Sequence, residues 1–153
     1  DTFTAYESER SSSMMRLLRY PPNNGQTAEN IVGISAHTDY EAFTLMGQTA
    51  PGLELLTVND EWISPPVVQD RFIVIVGDML ERLTNGKLRA TRHRVVDTEW
   101  ERLSLILFNA FDADAVVAPL PEFVSDDNPC RFESTTQVAH INAEVSAAVA
   151  NIS

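Results

Sequence analysis

Three side chains have the types and spacing to hold a metal ion together: His37, Asp39 and His93. His37 and Asp39 stand two residues apart after a short apolar run, so at the end of an extended strand both project from one face. His93 follows Asp39 by 54 residues, at the head of another predicted strand, where folding can bring it alongside. Two imidazoles and one carboxylate on one side of an ion leave the opposite positions open. That is the facial arrangement by which ferrous iron receives oxygen and an organic co-substrate. A zinc hydrolase uses the same ligand types. Each residue also has a plainer reading: His37 as a turn cap, Asp39 as a solvated loop residue, His93 between Arg92 and Arg94 as part of a surface strand. A Ser/His/Asp triad is a weaker option, because no nucleophile-elbow sequence is present.

Arg102 and Ser104 form a second pair at strand spacing, nine residues after His93 begins its strand. On extended backbone they point the same way and offer a guanidinium fork and a hydroxyl to one carboxylate. Leu103, Leu105 and Leu107 alternate with Ser104, Ile106 and Phe108, which predicts a strand buried on both faces. A buried arginine is expensive without an anion, and a bound dicarboxylate would supply one.

These residues need a scaffold, and the chain reads as short strands broken by turns. MMRLLRY (Met14 to Tyr20) is β-compatible and is ended by Pro21, Pro22, Asn23, Asn24 and Gly25. A run from Ile31 leads into His37. Further strands are predicted over residues 43–46, 53–58, 61–63, 93–96 and 102–109. Residues 72–76, FIVIV, are continuously apolar, as for a strand covered on both faces. Asn85-Gly86 is a hairpin signal. This pattern predicts an all-β sandwich or barrel. Beyond Phe111, Pro119, Pro121 and Pro129 mark an extended connection. Over residues 135–152, Val138, Ile141, Val145 and Val149 recur at helical spacing, predicting a C-terminal helix packed by its apolar stripe. Three parts follow: a polar tail over 1–13, a β core over 14–111, and a connection plus helix over 112–153.

The chain has 153 residues, enough for one domain with a proper core. With 11 Lys+Arg against 22 Asp+Glu the formal charge is −11, which argues against nucleic acid and anionic membranes as partners. Cys130 is the single cysteine, so an intrachain disulfide framework and a multi-cysteine metal site are excluded, and a reducing cytoplasm is the expected setting.

In combination, MRLLRYPP, GISAHTDYEAFTLM, PGLELLTVNDEWI, VGDMLERLTNGKLRATRHRV and ERLSLILFNAF resemble the iron(II)/2-oxoglutarate-dependent dioxygenases of the isopenicillin N synthase-like superfamily. The resemblance runs over residues 14–111 and more weakly into the C-terminal helix. It implies a mainly β double-stranded β-helix, or jelly-roll, with a C-terminal helix. It also implies that His37, Asp39 and His93 bind Fe(II) and that Arg102 and Ser104 grip the far carboxylate of 2-oxoglutarate, with Tyr20 near the co-substrate. Leu18 stands where related sequences often carry Asn. The implied activity is hydroxylation, desaturation or a related oxidation of a small organic substrate, using oxygen, with ascorbate as a candidate reductant. Asp39 disfavours halogenation, since halogenating relatives leave a halide site there. Two branches keep Arg-x-Ser without using 2-oxoglutarate, isopenicillin N synthase and the ascorbate-using ethylene-forming oxidases, and they form the enzymatic alternative. A non-catalytic jelly-roll binding module is the other. Phe108 and Leu45 are expected at the pocket, and His140 is expected to pack or cap. Relatives carry a largely helical N-terminal segment, so this chain is expected to be part of a longer protein, with one sheet face left uncovered when taken alone.

Overall fold

A computed structural model describes residues 5–23 and 32–150. Asn24, Gly25, Ile31 and Ile152, named above in a turn, a strand and a helix end, lie outside the described residues. The described strands are β1 (Met14–Tyr20), β2 (Val32–His37), β3 (Phe43–Gln48), β4 (Leu53–Leu56), β5 (Trp62–Ile63), β6 (Ile73–Val76), β7 (His93–Val96), β8 (Arg102–Asn109), β9 (Val116–Val117) and β10 (Thr135–Thr136). The helices are α1 (Asp78–Leu83) and α2 (Gln137–Ala150). Eight strands make two four-stranded antiparallel sheets, ordered β1-β8-β3-β6 and β2-β7-β4-β5, and β9 pairs with β10. Neighbours so distant in sequence give the jelly-roll.

Alternation along the strands decides which residues face the other sheet. Met46, Leu53, Ile75 and Ile106 form the core between the sheets, joined by partly buried Leu18, Leu55, Ile73 and Phe108. A second cluster of Ala42, Met79, Leu83, Phe111 and Val117 lies around α1. Residues before β1 are tied down as well. The Ser8 backbone N–H and hydroxyl both donate to the Asp112 carboxylate, at 3.0 and 2.6 Å. That pairing holds the Asp112 carboxyl below its usual range.

Three expectations change. Burial on both faces of β6 and β8 is wrong: Leu103, Leu105, Phe72 and Val74 are 37%, 40%, 60% and 64% exposed. With Leu17 they make an apolar outer surface on the β1-β8-β3-β6 sheet, around a groove of about 870 Å³. Asn85-Gly86 is not a strand-to-strand hairpin, because it closes the short helix α1, with φ of 50° and 81°. The helix α2 forms, but Val138, Val145 and Val149 are exposed, and its buried residues are Gln137 and His140. Polar bonds rather than an apolar stripe dock it. Among the described residues no helix is long and apolar enough to cross a membrane.

Asn85 is a structural hub. Its amide donates toward the carbonyls of Phe123, Asn128 and Pro129, and its Oδ1 accepts from the Arg131 N–H at 2.9 Å. Alanine would leave buried carbonyls and an N–H unpaired and would also strain at positive φ. Asn85→Ala is expected to cost about 2–4 kcal/mol of stability, measured by urea unfolding.

Candidate metal centre

The β2–β7 pairing puts His37 directly across from His93. Directly opposed residues share a face, so both rings enter the space between the sheets. Their centroids are 4.3 Å apart. Just past the end of β2, Asp39 brings its Oδ1 to 3.7 Å from His37 Nε2 and 3.6 Å from His93 Nε2. One ligand atom from each residue can be chosen so that all three lie within 4.8 Å of one another. Both separations from the carboxylate exceed hydrogen-bond length.

The atoms behind the ligands fix their roles. His37 Nδ1 lies 2.8 Å from the Ser35 carbonyl, and His93 Nδ1 lies 2.9 Å from the Thr91 carbonyl. A carbonyl only accepts, so each Nδ1 carries the proton and each Nε2 presents a lone pair to the centre. Burial pushes the His93 imidazole below the usual histidine range, against the opposing pull of Asp39. Thr44 on β3, fully buried, donates its hydroxyl to Asp39 Oδ2 at 2.5 Å, leaving Oδ1 turned to the histidines. The carboxylate loop is held from below by α1. Asp78 N–H donates to the Asp39 carbonyl, Met79 N–H to that of Glu41, and Gly77 N–H to that of Ala42. A Cβ on Gly77 would collide with the Glu41 carbonyl oxygen, so only glycine permits this approach.

A second set of polar groups gathers on the inward face of the facing sheet. Pairing puts Tyr20 across from Arg102, and Ser104 between Leu18 and Gln48. Arg102 is 1% exposed and Ser104 is fully buried. The guanidinium stacks on the Tyr20 ring, 4.7 Å from its centroid, and one nitrogen reaches Met46 Sδ at 3.9 Å. Burial lowers the Arg102 pKa, and the neighbouring Tyr20 opposes this. Arg102 Nε and Nη1, Ser104 Oγ and Tyr20 OH are buried with no hydrogen-bond partner among the described residues. Leu18 gives the cluster only an apolar flank.

Both groups fit the ligands that the sequence implies. Converging lone pairs without protons between them suit a cation, and a sealed guanidinium with free donors suits a carboxylate. Beside the histidines a cavity of about 190 Å³ is walled by Met14, Arg16, Tyr40, Glu41 and Phe108. Phe108 is where it was expected. Leu45 is not, because Thr44 and Met46 take the inward positions of β3 and leave it on the opposite face. Burial, then the nearby Asp39, raises the Glu41 carboxyl. Sequence reasoning missed Thr44, whose signal was a hydroxyl at an inward position of an otherwise apolar strand. It also left His140 without a partner, which is Asp78 at 2.8 Å.

Residues 11–110 match the family model described as the 2OG-Fe(II) oxygenase superfamily. The chain belongs to that superfamily. It is 34% identical over 132 residues to a gibberellin 2-beta-dioxygenase of Phaseolus coccineus, covering 84% of this chain and 40% of that protein. It is 39% identical over 115 residues to a 1-aminocyclopropane-1-carboxylate oxidase of Dendrobium crumenatum, covering 73% of this chain and 35% of the other. A full-length Neurospora crassa protein, solved with alpha-KG and thymine, shares the fold with a TM-score of 0.87 at 22% identity, over 96% of this chain and 47% of that one. The chain spans less than half the length of these curated relatives. In this chain the three converging side chains come from β2, from the loop after it and from β7.

Two substitutions away from the ligands test how the centre is held. Thr44→Val, which frees Asp39 Oδ2, is expected to weaken Fe(II) binding by about 10–100-fold, read by anaerobic metal competition. Gly77→Ala pushes on the Glu41 carbonyl and is expected to lower Fe(II) affinity by about tenfold or more in the same assay.

Proposed function

We propose that the protein is an Fe(II)- and 2-oxoglutarate-dependent oxygenase acting on a small organic substrate. In this reading His37, Asp39 and His93 hold the iron, and Arg102 and Ser104, with Tyr20, hold the far carboxylate of 2-oxoglutarate. The net reaction consumes substrate, oxygen and 2-oxoglutarate and yields succinate and carbon dioxide with either the hydroxylated substrate or the desaturated substrate and water. The observation that carries it is the sealed Arg102, with no anionic partner among the described residues, on the inner face of the sheet opposite the one that carries His37 and His93.

Iron(II) and 2-oxoglutarate, when bound, would activate oxygen, the oxidant that takes hydrogen from an unactivated C–H bond. The chain's own residues do the rest. Asp39 and two neutral imidazoles leave about one net positive charge on a ferrous ion, which a 2-oxo acid offsets. Thr44 keeps the Asp39 carboxylate aimed inward, and the Ser35 and Thr91 carbonyls hold each neutral ring in the Nδ1–H tautomer with Nε2 turned to the centre. Arg102 neutralises the far carboxylate, while Tyr20 and Met46 shield the pair from water. Phe108, Met14 and Tyr40 form the wall against which a substrate is placed. The acidic charge speaks against nucleic acid and anionic membrane partners, and the exposed unpaired Cys130 fits a cytoplasmic setting.

Anaerobic titration of the Fe(II)-loaded protein with 2-oxoglutarate tests this reading through the metal-to-ligand charge-transfer band in the visible spectrum. The band is expected in the wild type and absent in Asp39→Ala and His93→Ala, which should also lose iron and turnover. Arg102→Ala is expected to weaken 2-oxoglutarate by about 2–5 kcal/mol. Full turnover in either ligand variant would overturn the metal assignment, and unchanged co-substrate affinity in Arg102→Ala would overturn the other.

A further inference from the structure

Seven buried side-chain polar atoms have no hydrogen-bond partner among the described residues, and six of them lie on two adjacent rungs of one sheet. Four are those of Tyr20, Arg102 and Ser104 already described. The other two are Nε2 and Oε1 of Gln48, and the seventh is Asn109 Oδ1. Gln48 ends β3 directly across from Ser104, just as Tyr20 ends β1 directly across from Arg102. Alternation from buried Thr44 and Met46 puts the Gln48 side chain on their inward face, the face from which the Met46 sulfur meets Arg102. A primary amide with both ends sealed from water and unpaired weakens the fold, where an apolar side chain would simply pack. Clustering of these atoms on neighbouring rungs points to one missing polar occupant rather than to separate defects.

We propose that Gln48 is a further binding residue for the co-substrate, its amide completing a ring with Arg102, Ser104 and Tyr20 around the far carboxylate. This rests on the reading of those three residues given above. A carboxylate has about four lone-pair sites, more than one guanidinium edge and one hydroxyl can fill. Gln48 Nε2 donates a hydrogen bond to one of them, and Oε1 accepts a hydrogen bond from whichever Arg102 N–H or Ser104 O–H the carboxylate leaves over. The amide therefore matches an anion that arrives together with surplus donors. Its position on β3, two residues beyond Met46, also links the carboxylate site to the strand that carries Thr44, the partner of Asp39.

The test compares wild type, Gln48→Leu and Gln48→Glu in the Fe(II)-loaded protein. It measures 2-oxoglutarate affinity from the anaerobic charge-transfer band and Tm with and without 2-oxoglutarate. Gln48→Leu is expected to raise the Kd for 2-oxoglutarate about tenfold with iron affinity unchanged. Gln48→Glu should raise it further, because a second carboxylate then faces the bound one. The Tm of ligand-free Gln48→Leu should equal or exceed that of wild type, and the Tm increase produced by 2-oxoglutarate should shrink. A purely structural glutamine gives the reverse, a lower ligand-free Tm with unchanged 2-oxoglutarate affinity, and that result overturns the proposal. So does a Kd within twofold of wild type in both variants. A wild type that binds iron yet gives no band with 2-oxoglutarate removes the co-substrate reading itself, and the proposal falls with it. An intact wild-type band with indifferent Gln48 variants defeats the proposal alone.

Discussion

Two imidazole lone pairs and a carboxylate oxygen repel one another when they converge without a proton or a cation between them. His37, Asp39 and His93 are held facing one another, and the surrounding structure resists their separation. Each imidazole is pinned from behind by a backbone carbonyl two residues earlier in the chain, and the carboxylate by the Thr44 hydroxyl. Cross-strand pairing of β2 with β7 fixes the distance between the rings. The loop after β2 cannot swing Asp39 away, because α1 donates three successive N–H groups, from Gly77 to Met79, into its carbonyls. That contact is possible only because Gly77 has no Cβ.

The same helix connects the centre to the end of the chain. Asp78, whose N–H holds the Asp39 carbonyl, pairs through its carboxylate with His140 of α2. Gln137, one turn earlier and fully buried, donates to the Tyr40 carbonyl and accepts from the Phe111 N–H. Docking of α2 is therefore directional, since hydrogen bonds fix its position along the loop as a smooth apolar contact would not. Its valines remain exposed because the buried face has already been taken by these polar groups.

The two sheets also divide the work by face. Inward positions of β1, β8 and β3 carry either core residues or the polar cluster around Arg102, while the outward positions carry Leu17, Leu103 and Leu105 in the open. The space between the sheets is thus lined by a buried cation without an anionic partner, Arg102, and by the converging His37, Asp39 and His93 on the facing side.

The order and types of the strands were legible because period-two alternation and turn residues are local signals. MMRLLRY, HRVV and RLSLILFN form strands where those signals put them. The candidate ligands were legible from His-x-Asp and Arg-x-Ser, since a spacing of two on extended backbone already implies a shared face. Alternation cannot say whether a face is covered, so β6 and β8 read as doubly buried when they are not. Nor can it reveal a helix as short as α1, whose six residues hold together only because their N–H groups meet the Asp39 loop. Thr44, Gln48, Asp78 and Gln137 took their roles from partners 5 to 97 residues away in sequence. The sequence by itself determined the strands, the ligand types and the family. Only the tertiary structure decided which polar side chains are sealed and unpaired, because burial is a property of everything packed around a residue, and no local pattern carries it.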